Sequence, residues 1–226
     1  MSAGKIAWEE AAEFLFQIGC NGSALRDSAF WEEAQRFLGI LLEKNQVLNL
    51  TGAKDLETLF WKHLVDSLTL LSFPDLGVVV DWGCGGGFPG VPLALARKYE
   101  RDETPVFFVD SISKKVRAVE EFCQRLDLSL TQGFVGRGEV LIRSGQLRKA
   151  QAVVMRAVAP AERAHKWISP EIPNWIFFLG PKQRDDWERE LPKLAQKKII
   201  VRDERSFALP HDLGQRCLLR LSKSST

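Results

Sequence analysis

The sequence has few of the residues that hold disulfide-linked or metal-bound proteins together. It has four cysteines in 226 residues, no Cys-x-x-Cys pair, and three histidines without metal-ligand spacing. We therefore expect neither a disulfide scaffold nor a bound metal, and we expect a reducing, cytoplasmic location. Long apolar runs are also missing, which argues against a membrane-spanning helix and against a membrane partner. Acidic residues, rather than an apolar signal-peptide core, follow Lys5.

Charge is unevenly distributed along the chain. Residues 1–75 carry 6 Lys or Arg and 11 Asp or Glu, whereas residues 137–226 carry 18 and 10. A basic part of this kind attracts a polyanion such as nucleic acid, although a solvated surface explains the same composition.

Helical periodicity dominates the first 75 residues. Apolar residues at helical spacing predict helices over 7–18, beginning with Ala7, over 28–47, and over about 55–72. Asp27 and Ser28 are candidate N-caps of the second helix, and Pro74 closes this region. A chain of 226 residues is long enough for such an extension and one α/β domain.

After residue 75, short apolar runs alternate with helical segments. The predicted strands are 78–81, 106–110, 152–155, 175–179, 198–201 and 216–221. The predicted helices are 89–99, 113–126 and 182–196. This alternation predicts a largely parallel sheet covered on both faces, and the two last strands predict a hairpin.

The most informative segment is a glycine-rich turn between a strand and a helix. It runs from Asp81 to Gly90 and reads Asp-Trp-Gly-Cys-Gly-Gly-Gly-Phe-Pro-Gly. Glycine allows close approach of the backbone to a ligand, and ligands bind at the carboxyl ends of strands in open α/β sheets. The next strand ends in Asp110, whose carboxylate can accept hydrogen bonds from both ribose hydroxyls of a nucleoside.

Two nucleoside cofactors fit this turn. Gly85-x-Gly87-x-x-Gly90, with Asp110 beyond it, matches the fingerprint of dinucleotide-binding proteins. The same segment matches Asp-x-Gly-x-Gly-x-Gly, which suits S-adenosylmethionine (AdoMet). Asp81 favours AdoMet, because an acid attracts its amino group and sulfonium but repels a pyrophosphate. NAD remains the alternative at this point, and a turn without a ligand is the third interpretation.

Two sequence motifs that other methyltransferases use for catalysis are missing. No Asn/Asp-Pro-Pro-aromatic loop follows the fourth apolar run, and no cysteine follows a proline. The first absence disfavours methylation of an exocyclic amine, and the second disfavours methylation of pyrimidine carbon 5. An acceptor with a free lone pair, such as guanine N7, needs neither device. Catalysis then reduces to aligning acceptor, methyl carbon and sulfur.

Six short motifs follow one another between residues 49 and 160. They are Asn49-Leu50-Thr51, His63-x-x-Asp66-Ser67-Leu68, the turn Asp81 to Gly90, Asp110-Ser111 with Lys114-Lys115, Gly136-Arg137-Gly138-Glu139 and Arg156-Ala157-Val158-Ala159. Each motif alone is weak, but the ordered set is specific. It resembles the RsmG (GidB) family of bacterial 16S rRNA guanine-N7 methyltransferases. Trp82 and Cys84 depart from the usual family pattern in the turn.

The resemblance implies a fold and a reaction. The fold would be the α/β class I AdoMet-dependent methyltransferase fold, Rossmann-like, with a mostly parallel seven-stranded sheet. Residues 1–75 would form an N-terminal helical extension and residues 76–226 the methyltransferase core. The reaction would be methylation of guanine N7 in 16S rRNA of the small ribosomal subunit. The alternatives are a different RNA substrate, an NAD(P)-dependent oxidoreductase and a non-catalytic RNA-binding module.

The candidate site residues combine the turn with the family motifs. The cofactor residues would be Asp81, Gly83, Gly85, Gly87, Phe88, Asp110, Gly138, Glu139 and Arg156. The substrate or RNA residues would be Asn49, His63, Asp66, Lys114, Lys115, Arg137 and Lys182. Arg156 would also position the acceptor without a general base, and an ordinary ion pair is its alternative role. For His63, a hydrogen bond that docks the N-terminal helices is the favoured interpretation.

Overall fold

Seven strands form one mixed sheet. The computed structural model describes residues 8–224. Its strands are β1 Val79–Trp82, β2 Val106–Asp110, β3 Thr131–Val135, β4 Ala152–Arg156, β5 Asn174–Leu179, β6 Ile199–Ala208 and β7 Gln215–Lys223. The spatial order is β3-β2-β1-β4-β5-β7-β6, with β1 to β5 parallel and β7 antiparallel to its two neighbours. The predicted mostly parallel sheet with a final hairpin is confirmed.

The central strands are buried on both faces, whereas the edge strands are not. Every residue of β1 and β2 is buried, which explains why both read as continuous apolar runs. Periodicity does not reveal β3, because this edge strand is only half-buried and contains polar residues and a glycine. The predicted strand 198–201 was too short, since β6 continues to Ala208 with mostly exposed residues.

Nine α-helices are present among the described residues. They are α1 Glu9–Gln17, α2 Ser28–Leu48, α3 Leu56–Leu59, α4 Asp66–Leu68, α5 Gly90–Glu100, α6 Ser113–Arg125, α7 Gly138–Arg143, α8 Ala161–Ala164 and α9 Pro181–Ala195. Asp27 is the N-cap of α2, because its side chain accepts a hydrogen bond from the Ala29 amide at 2.8 Å. The predicted helix start at Ala7 lies outside the described residues. None of the helices within 8–224 has the length and apolar character needed to cross a membrane.

The predicted helix over 55–72 is helical but irregular. From α3 the chain passes through a π-helical segment, Phe60–Val65, into α4 and then a 3₁₀ segment, Thr69–Ser72. π-Helical insertions occur frequently at functional sites, and this one carries His63.

Apolar layers cover both faces of the sheet. One layer is formed with α7, α8 and α9, and the other with α5, α6 and the N-terminal helices. Phe37 of α2 is fully buried, and its ring centroid lies 5.3 Å from that of Phe88 and 5.7 Å from that of Phe122 on α6. The N-terminal helices thus pack into one of the two core layers. The division at residue 75 stays a prediction.

We expect Phe37→Ala to lower the free energy of unfolding by about 3–5 kcal/mol, because it leaves a cavity between α2 and α6. Val47→Ala on the same helix is the matched control: Val47 is 78% exposed, and its loss should change stability by less than about 0.5 kcal/mol. Urea denaturation followed by fluorescence and circular dichroism measures both. Two separate transitions, with only one responding to Phe37→Ala, would contradict a shared core.

Candidate active site

A cavity of about 560 Å³ opens at the carboxyl ends of β1, β2 and β4. Ligands bind at this edge of open α/β sheets, beside the strand where the strand order reverses. The cavity is lined by Trp82, Gly83, Val109, Asp110, Ser111, Ile112, Lys115, Gly136, Arg137, Gly138, Glu139, Arg156, Ala157, Val158, Arg163 and Trp167. Its volume lies in the range of small-molecule sites.

The turn after β1 borders this cavity through Gly83, whereas Gly85 and Gly87 lie outside the lining. Gly83 has a φ of +79°, and a Cβ there would lie 2.7 Å from Val158. Gly87 has a φ of +92°, and a Cβ there would lie 2.7 Å from Val91. Glycine meets both demands without strain. The Gly83 amide donates to the Val109 carbonyl at 2.7 Å, which ties the turn to the end of β2.

Asp81 lies buried near the end of β1 with one carboxylate oxygen unused. Its Oδ2 accepts a hydrogen bond from the Gly90 amide at 2.9 Å, and its Oδ1 has no partner among the described residues. Burial raises the pKa of Asp81 to about 7; Asp110 adds to the rise, while the Gly90 amide and Arg156 oppose it. A buried acceptor without a donor is rare in folded proteins and marks a place where a ligand can supply one.

Asp110 ends β2 and lines the cavity, whereas Asp81 lies outside the lining. Its carboxylate accepts hydrogen bonds from the amides of Gly85 at 3.3 Å and Ile112 at 2.9 Å, which fix its orientation. Each carboxylate oxygen has a second lone pair, so Asp110 can still accept hydroxyl hydrogens of a ribose. Because β1 and β2 are parallel neighbours, the two acids predicted from the sequence do meet at one sheet edge.

Trp82 shapes the wall of the cavity beside α7. A Cβ at Gly138 would lie 2.4 Å from the Trp82 ring, so only glycine lets α7 begin against the indole. The same ring stacks on Trp167, with ring centroids 5.8 Å apart, and is 5% exposed. Trp82 is therefore a packing residue, and Glu139 follows directly at the cavity lining.

Arg156, at the end of β4, is held by the N-terminal helices. Its Nε donates to Asp66 at 3.0 Å, its Nη1 lies 3.1 Å from His63 Nδ1, and its Nη2 donates to the Lys62 carbonyl at 2.5 Å. A guanidinium has five N–H groups, so two remain for a ligand in the cavity. An ion pair was the alternative role that the sequence left open for Arg156. Arg156 does form an ion pair, with Asp66, and this pair is mostly buried.

Asp66 joins three parts of the chain. Its side chain is 3% exposed, and the oxygen not bound to Arg156 lies 3.6 Å from Nε of Arg216 on β7. Burial raises the pKa of Asp66, and the two guanidinium groups oppose that rise.

Burial lowers the pKa of His63 to about 3, with Arg156 adding to the effect. His63 is therefore neutral near pH 7, and its contact with Arg156 links the π-helical segment to the end of β4; its role toward the substrate stays a prediction.

Several predicted site residues lie outside the cavity lining. Phe88 is buried, and its ring packs against α2 and the π-helical segment. Asn49 ends α2 with a left-handed φ of 50° and is exposed. Lys114 and Lys182 are exposed at the starts of α6 and α9. Their roles toward cofactor or RNA stay predictions.

Motifs and periodicity did not identify Arg163, Trp167 and Arg216. Arg163 and Trp167 line the cavity from α8 and the turn after it, and a helix of four residues is too short for periodicity to reveal. Arg216 is brought to Asp66 only by strand pairing. Within residues 8–224, no cluster of His, Cys, Asp and Glu could hold a metal ion.

The acceptor groups of the site suit AdoMet better than a dinucleotide. The free oxygen of Asp81 offers an acceptor to an ammonium group, and Asp110 offers acceptors to a ribose. A pyrophosphate at the same turn would instead meet two carboxylates. Asp81, Asp110 and the backbone at Gly83 and Gly138 are therefore the groups that would hold AdoMet.

Comparison with known proteins links the chain to methyltransferases. The family profile described as GidB, rRNA small subunit methyltransferase G, matches residues 31–210. Ribosomal RNA small subunit methyltransferase G of Deinococcus radiodurans is 39% identical over 222 residues, covering 94% of this chain and 85% of the relative. The protein of that name from Halorhodospira halophila is 38% identical over 199 residues, covering 85% of this chain and 88% of the relative.

Solved structures with a similar fold have much lower identity. A protein of the NADB-Rossmann superfamily from Streptococcus agalactiae has a TM-score of 0.52 at 8% identity, covering 68% of this chain and 65% of that one. NSun6 from Pyrococcus horikoshii has a TM-score of 0.52 at 14% identity, covering 72% and 52%. These similarities show the fold alone, and the predicted class I methyltransferase fold is confirmed.

We expect Arg156→Ala to lower the free energy of unfolding by about 3–5 kcal/mol, because it removes the nearest partner of the buried Asp66 carboxylate. Arg189→Ala is the matched control: its side chain is 70% exposed in its ion pair with Asp186, and its loss should change stability by less than about 1 kcal/mol. Equal losses in urea denaturation would argue against a structural role for the Asp66 pair.

Proposed function

The chain belongs to the rRNA small subunit methyltransferase G family, and from that premise we propose that it methylates N7 of one guanosine in 16S rRNA. AdoMet is the methyl donor. The observation that carries the proposal is the free, buried Asp81 oxygen at the glycine turn of a chain in this family. An NAD(P)-dependent oxidoreductase is disfavoured by the same oxygen, because it would face an anionic pyrophosphate.

The chain contributes binding and orientation of the cofactor. When bound, AdoMet supplies a methyl group activated by a sulfonium. Asp81 offers its free oxygen to the ammonium group of the ligand, and Asp110 offers lone pairs to the ribose. Glycine at positions 83 and 138 lets Val158 and Trp82 pack closely against the backbone that lines the cavity, and this packing sets the shape of the wall that the ligand would contact.

The surroundings of Arg156 suit an acceptor that needs no base. Guanine N7 attacks with its lone pair and has no proton to lose beforehand. His63 is a poor base, because its pKa is lowered to about 3 and its Nδ1 already faces Arg156. Catalysis then rests on positioning, and the two remaining N–H groups of Arg156 can hold a guanine edge or a phosphate.

The RNA-side residues belong to this proposal. Lys115 and Arg137 line the cavity, so they would face the substrate directly. Asn49, Lys114 and Lys182 lie outside it and would contact RNA farther from the target base. Phosphate contacts from such residues position RNA without reading its sequence. The small ribosomal subunit or its rRNA is the proposed partner, and a cytoplasmic location follows from that partner.

Small ribosomal subunits from a strain that lacks this protein should accept labelled methyl groups from AdoMet. Digestion to nucleosides and mass spectrometry should place the label in 7-methylguanosine at one position. Label in a different nucleoside, or in a different RNA only, would refute the proposed acceptor. AdoMet binding with no transfer to subunits or naked rRNA would leave a non-catalytic RNA-binding module.

Two glycine variants test the cavity in the same assay. Gly138→Ala should lose at least about tenfold in AdoMet affinity and methyl transfer, because its Cβ would lie 2.4 Å from Trp82. Gly39→Ala is the control, since a Cβ there meets nothing within 4 Å. Unchanged affinity in Gly138→Ala would show that the ligand does not use this wall.

AdoMet affinity should fall by about tenfold between pH 7.5 and pH 6. The cause is protonation of Asp81, whose pKa burial raises to about 7, and only the ionised carboxylate attracts the ligand's positive charge. The free energy of unfolding of the ligand-free protein changes in the opposite direction. The folded state holds the Asp81 proton more tightly than the unfolded state, so this contribution to stability is lost as pH rises through about 7. Calorimetric titration measures the affinity. Asp81→Asn should bind weakly with a flatter profile, and a flat wild-type profile would exclude this role.

A further inference from the structure

The cavity carries more positive charge than its cofactor can use. Two acidic side chains line it, Asp110 and Glu139, against four basic ones, Lys115, Arg137, Arg156 and Arg163. AdoMet combines a sulfonium and an ammonium with a single carboxylate, so it carries net positive charge. The unneutralised bases around it therefore favour binding of an anion other than the cofactor.

Arg163 is one of the bases left without a counter-charge. Arg156 is neutralised by Asp66 at 3.0 Å. Arg163, by contrast, forms no ion pair with a carboxylate of residues 8–224, and its side chain is exposed at the cavity. All five of its N–H groups are therefore open to a ligand.

The fold directs Arg163 toward the mouth of the cavity. Ala161 and Ala164 of α8 are 4% and 2% exposed and anchor the helix on the sheet. Trp167, four residues after Arg163, stacks on Trp82 with ring centroids 5.8 Å apart. Residues four apart share a face of a helical turn, and both Arg163 and Trp167 line the cavity.

We propose that Arg163 binds a backbone phosphate of the RNA strand beside the target nucleotide. The inference rests on the proposed function, because a base that reaches the cofactor has to leave its stack. That movement brings the adjoining phosphates to the cavity mouth. A guanidinium is suited to this contact, since its planar N–H groups bind two phosphate oxygens at once.

Lys166 provides a matched control on the same segment. It carries the same charge three residues later and is exposed, but it does not line the cavity. Arg163→Gln and Lys166→Gln therefore remove one positive charge each from neighbouring surface positions. Only the first removes it from the cavity mouth.

Arg163→Gln should raise KM for small ribosomal subunits by about tenfold, with kcat and the Kd for AdoMet within about twofold. For a short single-stranded RNA, the slope of log affinity against log salt should become shallower by about 0.7, the loss of one phosphate contact. Arg163→Lys should recover part of the RNA affinity, because a point charge remains. Lys166→Gln should behave as wild type in every measurement.

Two results would overturn the inference. One is RNA affinity and salt slope in Arg163→Gln equal to those in Lys166→Gln. The other is weakened AdoMet binding in Arg163→Gln with unchanged RNA affinity, which would assign Arg163 to the cofactor. Failure of the proposed function gives a different result from failure of the Arg163 inference, because the wild-type protein would then transfer no methyl group to subunits. The salt slopes with short RNA would still test Arg163 in that case.

Discussion

The buried ion pair between Asp66 and Arg156 is the contact on which the arrangement of the site depends. Asp66 belongs to the N-terminal helices and Arg156 to the end of β4, and the 3.0 Å contact between them is nearly closed to solvent. A buried charge without its partner destabilises the folded state. The pair therefore holds the N-terminal helices against the end of β4. Arg216 on β7 adds a second positive charge beside the same carboxylate.

A second constraint is the separation of opposite charges along one cavity. Asp110 lines the cavity at the end of β2, Asp81 is buried on the neighbouring strand β1 outside the lining, and the exposed Arg137 and Arg163 line the same cavity. A cofactor with net positive charge and a polyanionic substrate can therefore occupy adjoining places without competing for the same groups. Burial raises the pKa of Asp81 to about 7, so this acid is only partly ionised near neutral pH and a bound cation would favour its ionised form.

Much of the fold was predictable because buried parallel strands leave continuous apolar runs in the sequence. β3 was missed for the converse reason: an edge strand with one covered face and polar residues leaves no such run. Phe88 illustrates the limit at the site. The motif places it in the cofactor turn, where its contact with the cofactor stays a prediction, and only the neighbouring helices decide that its ring packs toward α2 and the π-helical segment.

The sequence by itself determined the chemistry of the turn: its glycines, and the acids that follow two apolar strands. Those properties are local, because the backbone freedom of glycine and the end of a strand depend on residues that are adjacent in the chain. Only the tertiary structure decided which distant side chains meet there. Arg156 is turned toward Asp66 and His63, Arg216 reaches the same carboxylate, and Arg163 is carried to the cavity mouth. Such meetings depend on strand order and helix packing, which no short segment specifies alone.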